Sequence, residues 1–212
     1  MKEYTLTPFQ QQKNIQVTVP GSKSITNRAL LLAALAKGTT TLQGVLFSDD
    51  SRVFMEALKS LGYTLSIQEE EKCVQITSPG EKIPLSQASV YVGSAGTAAR
   101  FLTAMLGMSD GSYVIQASGQ MKKRPMKDLF VLLEHTGAEI IYLEQEGFLP
   151  VKINGQRKDQ KLTVRLDISR STQFLSAMLL ISPMLPQGLH IQITSEKTDG
   201  SYIRITRNMM EN

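Results

Sequence analysis

The stretch Pro20-Gly-Ser-Lys-Ser-Ile-Thr-Asn-Arg28 runs directly into the apolar segment Ala29-Leu-Leu-Leu-Ala-Ala-Leu35. A helix that begins in such a stretch presents unpaired backbone N–H groups and a partial positive charge, which together favour anions. Ser and Thr are also ordinary N-caps, so one such stretch could be a cap and nothing more. The arrangement recurs twice further along the chain, and this repetition indicates both the fold class and the site.

Three apolar helices, each preceded by a polar head, are predicted at a nearly constant spacing. Arg28, Arg100 and Gln173 hold equivalent positions in the three copies, so the spacing is 72 and then 73 residues. The heads are rich in small and hydroxyl residues, and they read Ser22-Lys-Ser24, Gly93-Ser-Ala-Gly-Thr97 and Ser169-Arg-Ser-Thr172. A shared period of this kind indicates repeated supersecondary units.

Each predicted unit continues in the same order after its apolar helix, with a strand, a second helix and a hairpin. The second helices are predicted at 48–61 and 124–136, with Pro125 early in the latter. We therefore predict an α/β fold of βαβαββ units, with two complete copies and a truncated third, at about 20–83, 84–157 and 158–212. Because the third copy stops inside its second helix, we expect the chain to be a fragment of a longer protein.

Parallel packing of the three apolar helices would form a buried centre and direct their N-termini toward one end, where the potential is positive. The alternative is a duplicated scaffold whose copies share no site. In the first interpretation Lys23 contacts a phosphate, and Arg28 meets an anionic ligand or a buried carboxylate. Gly96 would let backbone N–H groups approach a phosphate, and Arg124 is the expected anion clamp.

The composition narrows the classes of function. The chain has 212 residues, 42% of them hydrophobic, and a formal net charge of +4, which suits a globular protein. One Cys and two His give little support to a metal centre, and the scattered aromatic and basic residues argue against nucleic acid. The start of the chain lacks the apolar run of a signal peptide, and no segment is long enough to span a bilayer. We therefore expect a cytoplasmic location, no membrane partner and no cofactor.

Four motifs, in order along nearly the whole chain, carry a resemblance to a known family. They are Pro20-Gly-Ser-Lys-Ser-Ile-Thr-Asn-Arg28, Gly93-Ser-Ala-Gly-Thr-Ala-Ala-Arg100, Lys123-Arg124-Pro125 and Ser171-Thr-Gln-Phe174. Together they resemble 5-enolpyruvylshikimate-3-phosphate (EPSP) synthase, and the resemblance is to the first half of that family's longer chain.

The resemblance implies a fold and a reaction. The family has two domains, each an inside-out α/β barrel of three βαβαββ units, and its substrates lie in the cleft between them. Residues 1–19 would then pack with the absent C-terminal domain, and 20–212 would form the N-terminal substrate-binding domain. The implied reaction transfers the enolpyruvyl group of phosphoenolpyruvate to the 5-hydroxyl of shikimate 3-phosphate, and it uses no cofactor.

The resemblance also implies roles for residues of all three heads. Shikimate 3-phosphate would be bound by Lys23, Ser24, Arg28, Ser171, Thr172, Gln173 and Tyr202. Phosphoenolpyruvate would be bound by Lys23, Gly96, Arg124 and Gln173. Lys23 is the one catalytic candidate of this half, because Asp49 and Asp50 are expected to cap a helix. We therefore expect the isolated chain to bind substrates without turning them over.

Some positions depart from the family pattern, and two alternatives stay open. Asp199 stands where the family usually has a Ser, and Ser201 is a candidate replacement. Ser94 and Phe101 replace a common Asn and a common Pro, so glyphosate sensitivity does not follow from the resemblance. The first alternative is the sibling family, UDP-N-acetylglucosamine enolpyruvyl transferase, whose reactive Cys has no counterpart in the loop 117–123. The second is a non-catalytic anion-binding module.

Overall fold

The computed structural model describes residues 3–5, 19–169, 171–196 and 198–211. In these ranges the helices are α1 (Lys23–Leu35), α2 (Asp49–Ser60), α3 (Gly96–Gly107), α4 (Lys127–His135), α5 (Gln173–Ile181) and α6 (Ser201–Glu211). The strands are β1 (Gly38–Gln43), β2 (Thr64–Gln68), β3 (Cys73–Ser78), β4 (Gln87–Tyr91), β5 (Gly111–Gln116), β6 (Glu139–Tyr142), β7 (Val151–Gly155), β8 (Leu162–Leu166) and β9 (Leu189–Ile193).

The elements follow one repeated order. From β4 to β7 they read β4-α3-β5-α4-β6-β7, which is the βαβαββ unit expected from the sequence. The described part before it reads α1-β1-α2-β2-β3, and the part after it reads β8-α5-β9-α6. The predicted segment 1–19 lies outside the described residues, apart from 3–5 and 19.

Each unit contributes its own small sheet. The strands β1, β3 and β2 form an antiparallel sheet with β3 in the middle. In the next sheet the order is β4-β5-β7-β6, where β4 and β5 are parallel and the other neighbours are antiparallel. The strands β8 and β9 pair in parallel. Alternation along β3 and β8 directs Val74, Ile76, Val164 and Leu166 into the core, because successive side chains of a strand point to opposite faces.

The three apolar helices α1, α3 and α5 pack against one another in the centre of the molecule. Nearly every residue of α3 is buried, including Phe101, Leu102 and Met105. A helix surrounded by other elements buries all of its faces, which explains why these segments are apolar without a polar stripe. Each fully buried Leu or Phe stabilises the fold by about 2 kcal/mol, so this centre supplies much of the hydrophobic stabilisation.

The structure corrects the predicted cap of α2. Its N-cap is Ser48, whose Oγ accepts a hydrogen bond from the Ser51 N–H, while the Ser51 Oγ accepts one from the Ser48 N–H. This reciprocal pair is a capping box. Asp49 and Asp50 lie in the first turn, so the prediction that they cap the helix was wrong.

The structure also corrects the predicted start of α4, which begins at Lys127. A 3₁₀ turn at Met121–Lys123 comes first, and Arg124 has an extended backbone with φ −95° and ψ 125°. The physical reason is Pro125, because a proline disfavours the helical conformation in the residue before it. Arg124 therefore lies in an extended connection and not at a helix start.

Close packing between α3 and β7 generates a prediction on stability. A Cβ on Gly155 would overlap the backbone carbonyl oxygens of Leu106 and Ser109 at the end of α3. Since backbone atoms cannot turn aside as a side chain can, we expect Gly155→Ala to lower the free energy of unfolding by about 1–3 kcal/mol. Denaturant unfolding followed by circular dichroism measures this change.

The matched control for this measurement is Gly119→Ala. Within the described structure, a Cβ on Gly119 would meet no atom within 4 Å. We therefore expect the control to change the free energy of unfolding by no more than about 0.5 kcal/mol. Equal stability of the two variants would contradict the packing of β7 on the end of α3.

Candidate anion-binding site

The N-terminal ends of α1, α3 and α5 meet around a cavity of about 230 Å³. It is lined by Lys23, Ser24, Arg28, Asp50, Gly96, Thr97, Arg124, Gln173 and Tyr202. A cavity of about 860 Å³ shares Arg124, Gln173 and Tyr202 with it and adds Ser171 and Thr172. Every site residue predicted from the sequence therefore lines one of two adjoining cavities, although these residues are up to 179 positions apart in the chain.

The head of α1 presents a lysine that is held by a carboxylate. Ser22 caps the helix, since its Oγ accepts a hydrogen bond from the Ile25 N–H at 3.4 Å. Lys23 Nζ lies 3.1 Å from Asp50 Oδ2, and the Lys23 side chain remains half exposed. This ion pair joins the starts of α1 and α2 and keeps the ammonium group at the rim of the smaller cavity. Sequence reasoning missed the role of Asp50, because the pair forms only through tertiary packing.

Arg28 is almost completely buried and is held by hydroxyl and carbonyl oxygens. Its Nε donates to Thr206 Oγ1 at 2.7 Å, and its Nη2 donates to Ser176 Oγ at 3.1 Å. Its Nη1 donates to the Ser24 carbonyl at 2.9 Å, and Nη2 also approaches the Tyr202 carbonyl at 3.4 Å. No ion pair from Arg28 to a carboxylate occurs among the residues that the structure describes. Burial lowers the pKa of the guanidinium below its ordinary value.

The head of α3 is crowded by two guanidinium groups. Gly96 is the first residue of α3, and no side chain caps this helix start. A Cβ on Gly96 would lie 2.7 Å from Arg100 Nη1 and 2.8 Å from Arg124 Nη1. Glycine therefore leaves room for two guanidinium groups to approach this helix start, and the uncapped N–H groups of this turn add to the same positive region.

Arg100 is a buried cation that the sequence analysis did not place in the site. Its Nη1 donates to the Gly96 carbonyl at 2.9 Å, and its guanidinium lies 5.5 Å from the centre of the Phe174 ring. Its Nε is buried without a hydrogen-bond partner in the described part of the chain. Burial, and then the charge of Arg124, lower the pKa of Arg100. The sequence could have indicated this role, because Arg100 holds the same position in the second repeat as Arg28 does in the first.

The head of α5 contributes neutral polar groups. Ser171 Oγ accepts a hydrogen bond from the Gln173 N–H at 3.2 Å, and Thr172 precedes the helix without capping it. Gln173 is the first residue of α5, and its side chain lines both cavities. The Tyr202 ring is half exposed and lies 5.7 Å from the Arg28 guanidinium carbon.

Asp199 and Ser201, the two residues at which the family pattern was unclear, line neither cavity. Asp199 Oδ2 accepts a hydrogen bond from Arg204 Nη1 at 2.6 Å. A hydrogen bond from the Gly200 N–H, and then the contact with Arg204, hold the pKa of Asp199 below its ordinary value. Asp199 therefore interacts with the first turn of α6 and not with either cavity.

The electrostatics of the smaller cavity favour an anion. Its lining brings three cations together with one carboxylate, Asp50. Among the described residues, the start of α3 has no side-chain cap, and at α5 the N-cap residue Thr172 does not cap the helix, so the positive ends of both helix dipoles add to this potential. Across the described ranges, no group of three or more His, Cys, Asp or Glu could hold a metal ion. No described helix combines the length and apolar character needed to cross a membrane.

The fold and the cavities define a class: an α/β protein whose described elements follow the order of a βαβαββ unit, complete from β4 to β7, with a cationic cavity where the helix starts meet. The family description "EPSP synthase (3-phosphoshikimate 1-carboxyvinyltransferase)" matches residues 9–212. The chain therefore belongs to the EPSP synthase family. This finding confirms the resemblance.

Individual relatives agree with this assignment. The chain is 40% identical over 194 residues to the 3-phosphoshikimate 1-carboxyvinyltransferase of Trichormus variabilis, which covers 92% of this chain and 45% of that protein. It is 41% identical to the Yersinia pseudotuberculosis serotype O:3 protein of the same name, over 100% of this chain and 49% of that protein. A solved structure of EPSP synthase from Acinetobacter baumannii matches with a TM-score of 0.74 and 27% identity, over 92% of this chain and 42% of that one. The chain spans about half the length of the curated relatives it matches.

The excess of cations in the cavity generates a prediction on anion binding. We expect inorganic phosphate to raise the melting temperature by about 3 °C over sodium chloride of equal ionic strength, since an anion that binds only the folded chain stabilises it. Arg124→Gln should reduce this increase, because it removes one of the cations that line the cavity. Differential scanning calorimetry measures both effects.

The control for the phosphate measurement is Arg165→Gln, which removes an exposed arginine of β8 that lines neither cavity of the site. The phosphate-dependent increase should be unchanged in this variant. An equal loss in the two variants would mean that phosphate acts through the net charge of the chain and not through the cavity.

Proposed function

We propose that this chain is the substrate-binding part of a 3-phosphoshikimate 1-carboxyvinyltransferase. The enzyme transfers the enolpyruvyl group of phosphoenolpyruvate to the 5-hydroxyl of shikimate 3-phosphate, a step of the shikimate pathway toward chorismate and aromatic amino acids. The observation that carries this proposal is the convergence of three helix starts and their cations on one cavity. Family membership supports it.

The charge of the substrates fits this cavity. Each substrate carries a phosphate group of about −2 charge near neutral pH, and each also carries a carboxylate. Two such anions repel each other, so a site that brings them into contact needs several fixed cations. The buried guanidiniums of Arg28 and Arg100, together with Arg124 and Lys23, supply that charge at positions set by the fold.

Shikimate 3-phosphate is assigned in this proposal to the side of the site formed by α1, α5 and α6. Ser24 and the remaining N–H of Arg28 would bind it from α1. Hydroxyls and an amide would bind it from the head of α5, and the Tyr202 ring would lie along the shikimate ring. The residues that support this assignment are Ser171, Thr172 and Gln173, which line the larger cavity next to Tyr202. In this proposal residues 20–212 form the substrate-binding domain, and residues 1–19 pack with the C-terminal domain that this chain does not span.

Phosphoenolpyruvate is assigned to the head of α3. The uncapped backbone at Gly96 and the guanidinium of Arg124 face the same space, and Gln173 lies between the two substrates. Lys23, at the rim of the smaller cavity, can contact both anions once they are bound. This arrangement would place C2 of phosphoenolpyruvate next to the 5-hydroxyl of the other substrate.

The proposed chemistry has two steps, both of which move protons. The 5-hydroxyl oxygen attacks C2 of phosphoenolpyruvate as it loses its proton, while C3 gains a proton, and a tetrahedral intermediate forms. C3 then loses a proton as the C2–O bond to phosphate breaks, and the enol ether and phosphate are released. Lys23 is our candidate in this chain for assisting the proton transfers, since Asp50 holds its ammonium group at the cavity. The other acid and base groups are assigned to the part of the relatives that this chain does not span.

Substrate binding tests the proposed function directly. Titration of the chain with shikimate 3-phosphate in a calorimeter should give a saturable heat. Arg28→Ala should weaken binding by at least about tenfold, because a hydrogen bond to an ionised group contributes that much or more. Arg165→Ala, which removes an arginine of β8 outside the site, should bind as the unsubstituted chain does.

The outcomes of this titration separate the candidate functions. No binding at millimolar shikimate 3-phosphate would contradict the proposal, and so would equal affinity of Arg28→Ala and the unsubstituted chain. A phosphate-release assay with both substrates should show no turnover by the chain alone. Turnover would contradict the assignment of the remaining acid and base groups to the missing part, whereas binding of many unrelated anions with equal affinity would favour a non-catalytic module.

The crowding at Gly96 generates a prediction on phosphoenolpyruvate. In Gly96→Ala the new methyl group would displace the Arg100 and Arg124 guanidiniums, which lie 2.7 and 2.8 Å from its position. We expect the affinity for phosphoenolpyruvate, measured on the chain saturated with shikimate 3-phosphate, to fall by about tenfold. The affinity for shikimate 3-phosphate should change by less than about twofold. An equal loss of affinity for both substrates would contradict the separate placement of phosphoenolpyruvate at α3.

A further inference from the structure

We propose that Thr206 of α6 is a positioning residue, which acts with Ser176 of α5 to fix the direction of the Arg28 guanidinium. No part of the predicted site includes either hydroxyl. The proposal rests on the proposed function, because it concerns how Arg28 is presented to shikimate 3-phosphate. It assigns a role in ligand binding to a side chain that touches Arg28 and lines neither cavity of the site.

Thr206 lies in direct contact with the Arg28 guanidinium. Thr206 Oγ1 accepts the Arg28 Nε–H at 2.7 Å, the shortest hydrogen bond of this arginine in the described structure. The Thr206 hydroxyl donates to the Tyr202 carbonyl at 2.8 Å and also lies 3.2 Å from Ser176 Oγ. Ser176 Oγ in turn accepts from Arg28 Nη2. The two hydroxyls therefore hold the same edge of the guanidinium, the one formed by Nε and Nη2.

Most of the hydrogen-bond donors of Arg28 are already engaged within the protein. A guanidinium has five N–H donors in one plane. The contacts given above for Arg28 occupy the Nε–H, both Nη2 hydrogens and one Nη1 hydrogen. One Nη1 hydrogen is left for a ligand, and Arg28 lines the smaller cavity. Because the guanidinium is planar, fixing its Nε–Nη2 edge also fixes the direction of this last donor.

Burying the hydroxyls of Thr206 and Ser176 costs free energy. Thr206 and Ser176 are both completely buried, in helices that are otherwise apolar on that side. A buried hydroxyl is unfavourable unless it is hydrogen-bonded, and its natural partner here is a cation that lacks a carboxylate. Hydroxyls hold a guanidinium in place without neutralising it, so the full charge of Arg28 remains available to an anion. A carboxylate at either position would cancel that charge.

The rings around Arg28 restrict its motion without competing for its donors. The guanidinium carbon lies 5.3 Å from the centre of the Phe101 ring and 5.7 Å from that of Tyr202. Both distances are in the range of cation–π attraction. The rings limit displacement of the group, whereas the two hydroxyls set its rotation in the plane. A purely structural hydrogen bond between α6 and α1 would affect stability and leave the ligand-binding constant unchanged, so the two roles can be separated.

The first test observes Arg28 without any ligand. In a chain labelled with ¹⁵N-arginine, the Arg28 Nε–H signal, assigned through Arg28→Lys, should exchange slowly with water. Thr206→Val keeps the shape of the side chain and removes the hydroxyl, so the signal should exchange faster or vanish. Thr206→Ser should restore it. The matched control is Thr103→Val, since Thr103 is completely buried in α3 and its hydroxyl has no partner among the described residues.

The second test measures shikimate 3-phosphate binding by the unsubstituted chain and by the Thr206→Val, Thr206→Ser and Thr103→Val variants. Thr206→Val should weaken binding by about tenfold, whereas Thr206→Ser and Thr103→Val should stay within about twofold of the unsubstituted chain. Thermal unfolding of each variant shows that it is folded, and binding is measured well below its melting temperature. Ser176→Ala provides an independent variant of the same edge and should also weaken binding.

Each outcome supports or overturns the proposal. Loss of the slow Nε–H signal in Thr206→Val with unchanged binding would overturn it and would leave the proposed function intact. An unchanged signal in Thr206→Val would show that the hydroxyl does not hold Arg28, and would overturn the proposal as well. If the unsubstituted chain binds no shikimate 3-phosphate, the proposed function fails, and the positioning role for that ligand fails with it.

Discussion

The arrangement of α1, α3 and α5 is the constraint on which the rest of the molecule depends. Their apolar surfaces form the core, so burial of those surfaces forces three helix starts into one region. Helix dipoles that converge in this way repel one another, and arginines added at the same end increase the repulsion. The hydrophobic effect thus assembles a positive region that electrostatics alone would disperse.

Two of the cations near this region are buried without carboxylates in the described structure. Arg28 is surrounded by hydroxyls, carbonyls and rings, and Arg100 keeps a buried Nε without a partner. A structure selected for stability alone would neutralise such charges or replace them with apolar groups. The arrangement is consistent with a site in which a bound anion compensates the charge of the two arginines. Binding sites often reduce the stability of the folded protein in this way.

Much of the fold and the site could be predicted from the sequence because both follow the repeat. Helix order, the hairpins and strand β9 at 189–193 follow from local patterns, and the three heads gather because their helices share a core. The start of α4 was misplaced because Pro125 acts on the residue before it. Asp50 and Thr206 could not be assigned, since their contacts with Lys23 and Arg28 exist only after distant helices have packed. Arg100 could have been found by carrying the repeat alignment through to side-chain roles.

The contacts of Arg28 reach across most of the described chain, from the Ser24 carbonyl on α1 through Phe101 on α3 to Thr206 in the middle of α6. The last of these residues is synthesised 178 positions after the arginine that it holds. During translation, Arg28 therefore gains this hydrogen-bond partner only after residue 206 has been made. Under the proposed function, a nascent chain that ends before α6 would lack the contact that orients Arg28 toward shikimate 3-phosphate.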